Sequence, residues 1–177
     1  MPQVYVAAGS NVEPERHLAR AVAELERAFG PLVVSPWYRN TAAGFEGDDF
    51  INFAVQFATD LPARDVLARL HRIEEACGRP RSAPKWAPRT MDLDILLYGA
   101  QVSEEPRLVL PRPDLLRRAY MLGPLADIAP NLVHPTAGAT IGELWQGFDR
   151  QAHPLVRVPS PITSPRCGRR RRPGSGP

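Results

Sequence analysis

The stretch FINFAVQF, Phe50 to Phe57, alternates strictly along its length. In an extended chain Phe50, Asn52, Ala54 and Gln56 share one face, while Ile51, Phe53, Val55 and Phe57 share the other. The second face is wholly apolar and suits a core; the first carries an amide and a lone aromatic ring. Toward the N-terminus the pattern continues through a Gly- and Asp-bearing loop, Asn40 to Asp49. Before it, the β-branched and aromatic run Leu32 to Tyr38 predicts another strand. Further back, Leu18, Val22, Leu25, Ala28 and Phe29 recur at helical spacing, with Pro14 near the start and Gly30-Pro31 as the stop. The short apolar run VYVAAG, Val4 to Gly9, predicts a buried strand.

Toward the C-terminus, Pro62 opens a helix whose apolar positions are Val66, Leu67, Leu70 and Ile73, ended by Gly78. A long basic loop follows, then a strand from Asp92 to Tyr98. The resulting order βαββαβ predicts an α+β fold, a ferredoxin-like αβα sandwich. A C-terminal extension is expected on the same core, with a short strand at Arg107 to Val109 and helices at Tyr120 to Ile128 and Ile141 to Trp145.

With 177 residues, 44% of them hydrophobic and 23% charged, the chain is long enough for one domain with a sizeable core and is not disordered as a whole. No apolar run approaches the ~18 residues of a membrane span, and no signal-peptide pattern precedes VYVAAG, so a cytoplasmic protein is expected. Cys77 and Cys167 lie far apart and imply neither a zinc site nor a disulfide framework. The net charge of +3 hides a division. Arg166, Arg169, Arg170, Arg171 and Arg172 fall in a Pro/Gly/Ser-rich end without acids; removing these five from 22 basic residues leaves 17 against 19 acidic ones. The body, residues 1–158, is therefore not a generic nucleic-acid binder, and residues 159–177 are expected to form a disordered tail.

The densest chemical signal surrounds the last predicted strand: Glu74, Arg79, Arg81, Lys85, Trp86, Arg89, Asp92 and Asp94. Asp92 and Asp94 are two apart on a strand, so both carboxylates point to one face. In so apolar a run as MDLDILL they repel each other and lose hydration unless a cation lies between them. Oxygen donors without His or Cys suit Mg²⁺. Four cations in one loop exceed what two aspartates need and suggest a polyphosphate. Metal, arginines and polyphosphate are the recurring parts of phosphoryl transfer. On spacing alone, a solvated edge-strand pair tied to arginines, a solvated basic loop, and a tryptophan that merely packs remain open. No Gly-x-x-x-x-Gly-Lys or Gly-x-Gly-x-x-Gly occurs, and the four histidines have no zinc spacing.

RIEEACGRPRSAPKWAPRTMDLDILLYG, Arg72 to Gly99, resembles the signature of the 6-hydroxymethyl-7,8-dihydropterin pyrophosphokinases of folate biosynthesis. AAGSN (Ala7 to Asn11), YRNTAAGFEGDDFINFAV (Tyr38 to Val55) and RRAYMLGPLADIAPNLVHP (Arg117 to Pro135) resemble other segments of that family in the same order. The resemblance implies transfer of the β,γ-diphosphate of ATP to the pterin hydroxymethyl group, with release of AMP. It implies that Asp92 and Asp94 hold two Mg²⁺ ions and that Arg79, Arg81 and Arg89 grip phosphates, with Glu74, Arg107 and Arg118 in support. Ile95 is implied beside the adenine and Trp86 on a closing loop, both counted with the ATP site. Phe50 and Tyr120 are implied around the pterin ring, Asn52 on its edge, and the Thr41 to Gly44 loop, including Thr41 and Ala43, against it. Where the family usually has Pro-His-Pro, this chain has Pro111-Arg112-Pro113, and Arg112 is taken as a permanent cation toward ATP. Small-molecule substrates, a monomer and no membrane or nucleic-acid partner are expected. The competing reading is an RNA-binding ferredoxin-like module anchored by the arginine tail. Such modules display aromatics on central strands; VYVAAG offers only Tyr5, and paired aspartates repel a phosphate backbone.

Overall fold

A computed structural model describes residues 1–40, 49–78 and 91–162. The strands are β1 (Gln3–Ser10), β2 (Val33–Val34), β3 (Trp37–Asn40), β4 (Phe50–Ala58), β5 (Asp92–Tyr98), β6 (Ser103–Glu105), β7 (Leu108–Leu110) and β8 (Val156–Val158). The helices are α1 (Pro14–Phe29), α2 (Ala63–Ala76), α3 (Ala119–Ile128) and α4 (Ile141–Gln146), with a single 3₁₀ turn at Pro113–Leu116. This is a mixed α/β fold on an antiparallel sheet of order β5-β1-β4-β3-β8, with β2 also on β4; β6 and β7 form a separate hairpin.

The alternation in β4 does what its pattern requires. Ile51, Phe53, Val55 and Phe57 join Val4, Val6, Ala8, Leu93 and Ile95 on one sheet face, covered by Leu18, Val22 and Leu25 of α1 and Val66, Leu70 and Ile73 of α2. Ala54 turns the other way, to a second cluster of Tyr5, Ala7, Leu96 and Leu97 under Met121, Leu122 and Leu125 of α3 and Ile141 of α4. Tyr38 Oη donates to Asp127 Oδ2 at 2.5 Å and ties α3 to β3. Burial first, then that hydrogen bond, pushes the Tyr38 hydroxyl up to about 12. Capping is local as well: Thr140 and Glu143 form a capping box at the start of α4.

The strand expected over Leu32 to Tyr38 is two strands. Pro36 has no N–H for a ladder, and Ser35 fills the gap: its N–H donates to Ala54 O and its Oγ accepts from Ala54 N, both at 2.9 Å. The polar β6 and the edge strand β8 were not expected. β8 pairs with β3 from far along the chain. The described residues continue past it to Ile162, which packs against the α1/α2-side core; residues 163–177 of the expected tail lie outside them. No described helix is long and apolar enough to cross a membrane.

Candidate active site

Because β1 runs antiparallel to both β4 and β5, the end of β1, the start of β4 and the start of β5 meet at one edge of the sheet, beside the end of β3. Registration sets one row across the α3-facing side: Asp92 opposite Gly9, Gly9 opposite Asn52, and Asn52 opposite Tyr38. A second row sets Asp94 opposite Ala7, and Ala7 opposite Ala54. Two carboxylates on one strand and two small residues on the next thus leave a recess floored by backbone. A Cβ on Gly9 would fall well under 3.0 Å from Asn52 Oδ1, so glycine is what lets this amide lie flat across β1.

Two cavities adjoin there, of about 880 Å³ and 420 Å³, and both are lined by Asp92, Asp94 and Arg112. Glu74, Ile95, Arg107 and Arg112, all expected toward ATP, line the larger, together with His71 and Leu108 to Leu110. Phe50, Asn52 and Tyr120, expected toward the pterin, line the smaller, together with Gly9, Asn40 and Asp114. Arg118 lines the smaller cavity, beside Tyr120, although the resemblance grouped it with ATP. Arg79, Arg81, Trp86, Arg89, Thr41 and Ala43 lie outside the described residues.

Glu74 is buried and accepts the Leu93 backbone N–H at 2.8 Å, pinning β5 between its two aspartates. Arg112 Nη1 lies 3.1 Å from Asp94 Oδ1, with both side chains half-buried. Asn52 Nδ2 donates to Asn40 Oδ1, which orients the amide at the mouth of the smaller cavity. Burial raises the Tyr120 hydroxyl pKa; Arg118 opposes this, and Asp114, Asp94 and Asp92 add to it, so the ring presents a neutral phenol. Asn40, Gly9 and Asp114 were not singled out from the sequence. Asn40 and Gly9 depend on strand register, and the 3₁₀ turn that carries Asp114 has no periodic signal of its own.

No three His, Cys, Asp or Glu residues converge on a metal position among the described residues. The pair Asp92 and Asp94 nevertheless fits Mg²⁺. It is all-oxygen, it already draws a cation in Arg112, and two carboxylates leave coordination positions for phosphate oxygens and water.

Residues 5–130 match the family model described as 7,8-dihydro-6-hydroxymethylpterin-pyrophosphokinase. Curated relatives named 2-amino-4-hydroxy-6-hydroxymethyldihydropteridine pyrophosphokinase include one from Synechocystis sp., 40% identical over 147 residues, covering 81% of this chain and 75% of the relative. Another, from Pseudomonas aeruginosa, is 41% identical over 157 residues, covering 84% of this chain and 96% of the relative. A solved Plasmodium falciparum HPPK-DHPS chain superposes with a TM-score of 0.67 at 13% identity, over 82% of this chain and 45% of that one. The chain therefore spans less than half of that longer protein, and the likeness there is one of fold.

Proposed function

The chain belongs to the 7,8-dihydro-6-hydroxymethylpterin-pyrophosphokinase family, and we propose that its two adjoining cavities hold ATP and 6-hydroxymethyl-7,8-dihydropterin on either side of Asp92 and Asp94. The observation that carries this reading is the shared wall: a carboxylate pair and one arginine face both cavities at once. The larger cavity, with Arg107, Arg112, Ile95 and a leucine-rich rim, suits a nucleotide triphosphate. The smaller, with two aromatic rings in its lining and an oriented amide, suits a flat heterocycle whose edge offers both donors and acceptors.

In the proposed reaction the pterin hydroxyl oxygen attacks the β-phosphorus of ATP. The bond from that phosphorus to the α,β-bridging oxygen breaks, AMP leaves, and the hydroxyl proton passes to solvent. Two Mg²⁺ ions, when bound, neutralise the polyphosphate and lower the pKa of the attacking hydroxyl. The chain's own contribution is placement. Asp92 and Asp94 serve as metal ligands, neither acid nor base. Arg79, Arg81, Arg89, Arg107 and Arg112 hold phosphates, and Arg118, at the smaller cavity, reaches toward the transferred group. Glu74 keeps β5 in register. Phe50, Asn52 and Tyr120, with Thr41 and Ala43, fix the pterin, and Trp86 closes over the substrates. Positioning and electrostatic stabilisation then supply most of the acceleration.

The same reading describes the fold as a ferredoxin-like βαββαβ sandwich carrying a C-terminal extension, with residues 1–158 as the catalytic domain, residues 159–177 as an appendage, and a cytoplasmic monomer as the working form. Its test is Asp92→Asn and Asp94→Asn. Each is expected to cut pyrophosphoryl transfer by about three orders of magnitude or more while cooperative thermal unfolding is retained, so that the loss is one of metal binding and not of folding. Substantial turnover in either variant, or full turnover in EDTA, rejects the metal-ligand role.

A further inference from the structure

Arg112 stands where the two cavities meet, and its contact with Asp94 has three unusual properties. Its backbone is fixed: its N–H donates to Leu96 O at 2.9 Å, its carbonyl accepts Leu115 N–H at 3.1 Å, and prolines flank it on both sides. Only the side chain is therefore able to move. Nη1 and Oδ1 lie at ion-pair distance, and the described hydrogen bonds do not include the two-bond fork that arginine and carboxylate form when built for each other. Finally, Arg112 Nε is buried without a hydrogen-bond partner among the described residues. A guanidinium held at ion-pair distance from the carboxylate, with a buried donor unused among the described residues, is poised for another anion.

Asp94 meanwhile has a reason to hold it. A half-buried carboxylate beside Asp92 is destabilised by lost hydration and by its neighbour's charge, and a cation within ion-pair distance offsets both. From this geometry we infer that Arg112 is a resident counter-cation that occupies Asp94 until nucleotide arrives and then exchanges the carboxylate for phosphate, which makes divalent-metal binding dependent on nucleotide. The inference rests on the proposed metal role of Asp92 and Asp94. A metal approaching the two carboxylates must first displace that guanidinium. With a triphosphate in the larger cavity, the guanidinium has a partner, and the carboxylate is released to the metal. Metal and nucleotide thereby enter as one event, and the bare enzyme does not sequester the ion.

The test is a Mn²⁺ titration of the full chain, followed by the EPR signal of free Mn²⁺, with and without an ATP analogue carrying a methylene between the α- and β-phosphates. Arg112→Gln, which keeps much of the stem, is expected to tighten nucleotide-free Mn²⁺ binding by about tenfold or more, while Arg107→Gln, which removes the same charge from the cavity wall, changes it by less than about threefold. Adding Asp94→Asn to Arg112→Gln returns the affinity to the wild-type level. The analogue is expected to raise Mn²⁺ affinity strongly in the wild type and much less in Arg112→Gln. Equal nucleotide-free affinity in wild type and Arg112→Gln, or equal gains from the two arginine variants, overturns the counter-cation role and leaves the metal site standing. If the wild type with analogue binds no more Mn²⁺ than the analogue alone, the metal reading itself fails and takes the inference with it.

Discussion

Gly9→Ala isolates the pterin side of the site. The added methyl falls on Asn52 Oδ1 and not on an open surface, and the residue's backbone conformation is one that alanine adopts. Asn52 is buried, bonded to Asn40, and sits in the row that runs from Asp92 across β1. To clear the methyl, its amide must shift on the order of 0.5–1 Å, enough to spoil the donor–acceptor match to a bound heterocycle. Losing one or two such hydrogen bonds costs about 1–2.5 kcal/mol, or roughly a 5- to 70-fold rise in the pterin KM. The amide is the end of a side chain and retreats without moving the sheet, so the melting temperature is expected to fall by only a few degrees. ATP binding, on the far side of the aspartates, is expected to stay within about twofold. The assay is steady-state kinetics with each substrate varied in turn, together with a thermal melt. A pterin KM within twofold of wild type, or equal losses for both substrates, refutes the assignment of this recess.

Arg89→Ala is expected to lower turnover by several orders of magnitude while equilibrium binding of the pterin stays near normal, since a forked donor to phosphate is lost and nothing on the heterocycle is; equal loss of both ligands in binding titrations argues for collapse instead. His134 is buried, and its Nδ1 accepts backbone N–H groups of Ala137 at 3.1 Å and Thr136 at 3.3 Å, so the proton sits on Nε2. Burial lowers its pKa below the ordinary value, so on acidification the unfolded chain takes up a proton before the folded one does. The contribution of His134 to stability is thus complete above the unfolded pKa of about 6.5 and is lost as pH falls below it, toward the lower folded value. His134→Asn keeps an acceptor for the two N–H groups and is expected to show a shallower loss of urea midpoint between pH 7 and pH 5.5; parallel losses in the two proteins contradict this.

Much of this was legible in the chain because the informative residues lie on regular elements. The period-two pattern of Phe50 to Phe57 placed Asn52 and Phe50 on the face away from the apolar core, and both line the smaller cavity. Asp92 and Asp94, two apart, share one face and one wall. Pro14, Gly30 and Gly78 marked the helix limits of α1 and α2 to within a residue or two. What was not legible depends on register and on distance along the chain. Nothing local says that Gly9 lies opposite both Asn52 and Asp92, or that Asn40 reaches Asn52. The proline within Leu32 to Tyr38 did carry a signal for two strands. β8 gave none, because three residues acquire strand geometry only from the ladder that β3 supplies. Arg112 was visible as a cation near ATP, but its grip on Asp94 is a contact between two elements that no spacing rule connects.

What sets the proposed reaction apart is that a diphosphate, and not a single phosphate, moves from ATP to a hydroxymethylpterin. Phosphorus NMR of one incubation decides it: purified full-length chain, ATP, Mg²⁺ and reduced 6-hydroxymethylpterin, with Asp94→Asn in parallel. AMP and a pterin diphosphate ester are expected in equal amounts, dependent on the pterin and absent with Asp94→Asn. Formation of ADP with a pterin monophosphate, or AMP release that does not depend on the pterin, contradicts it.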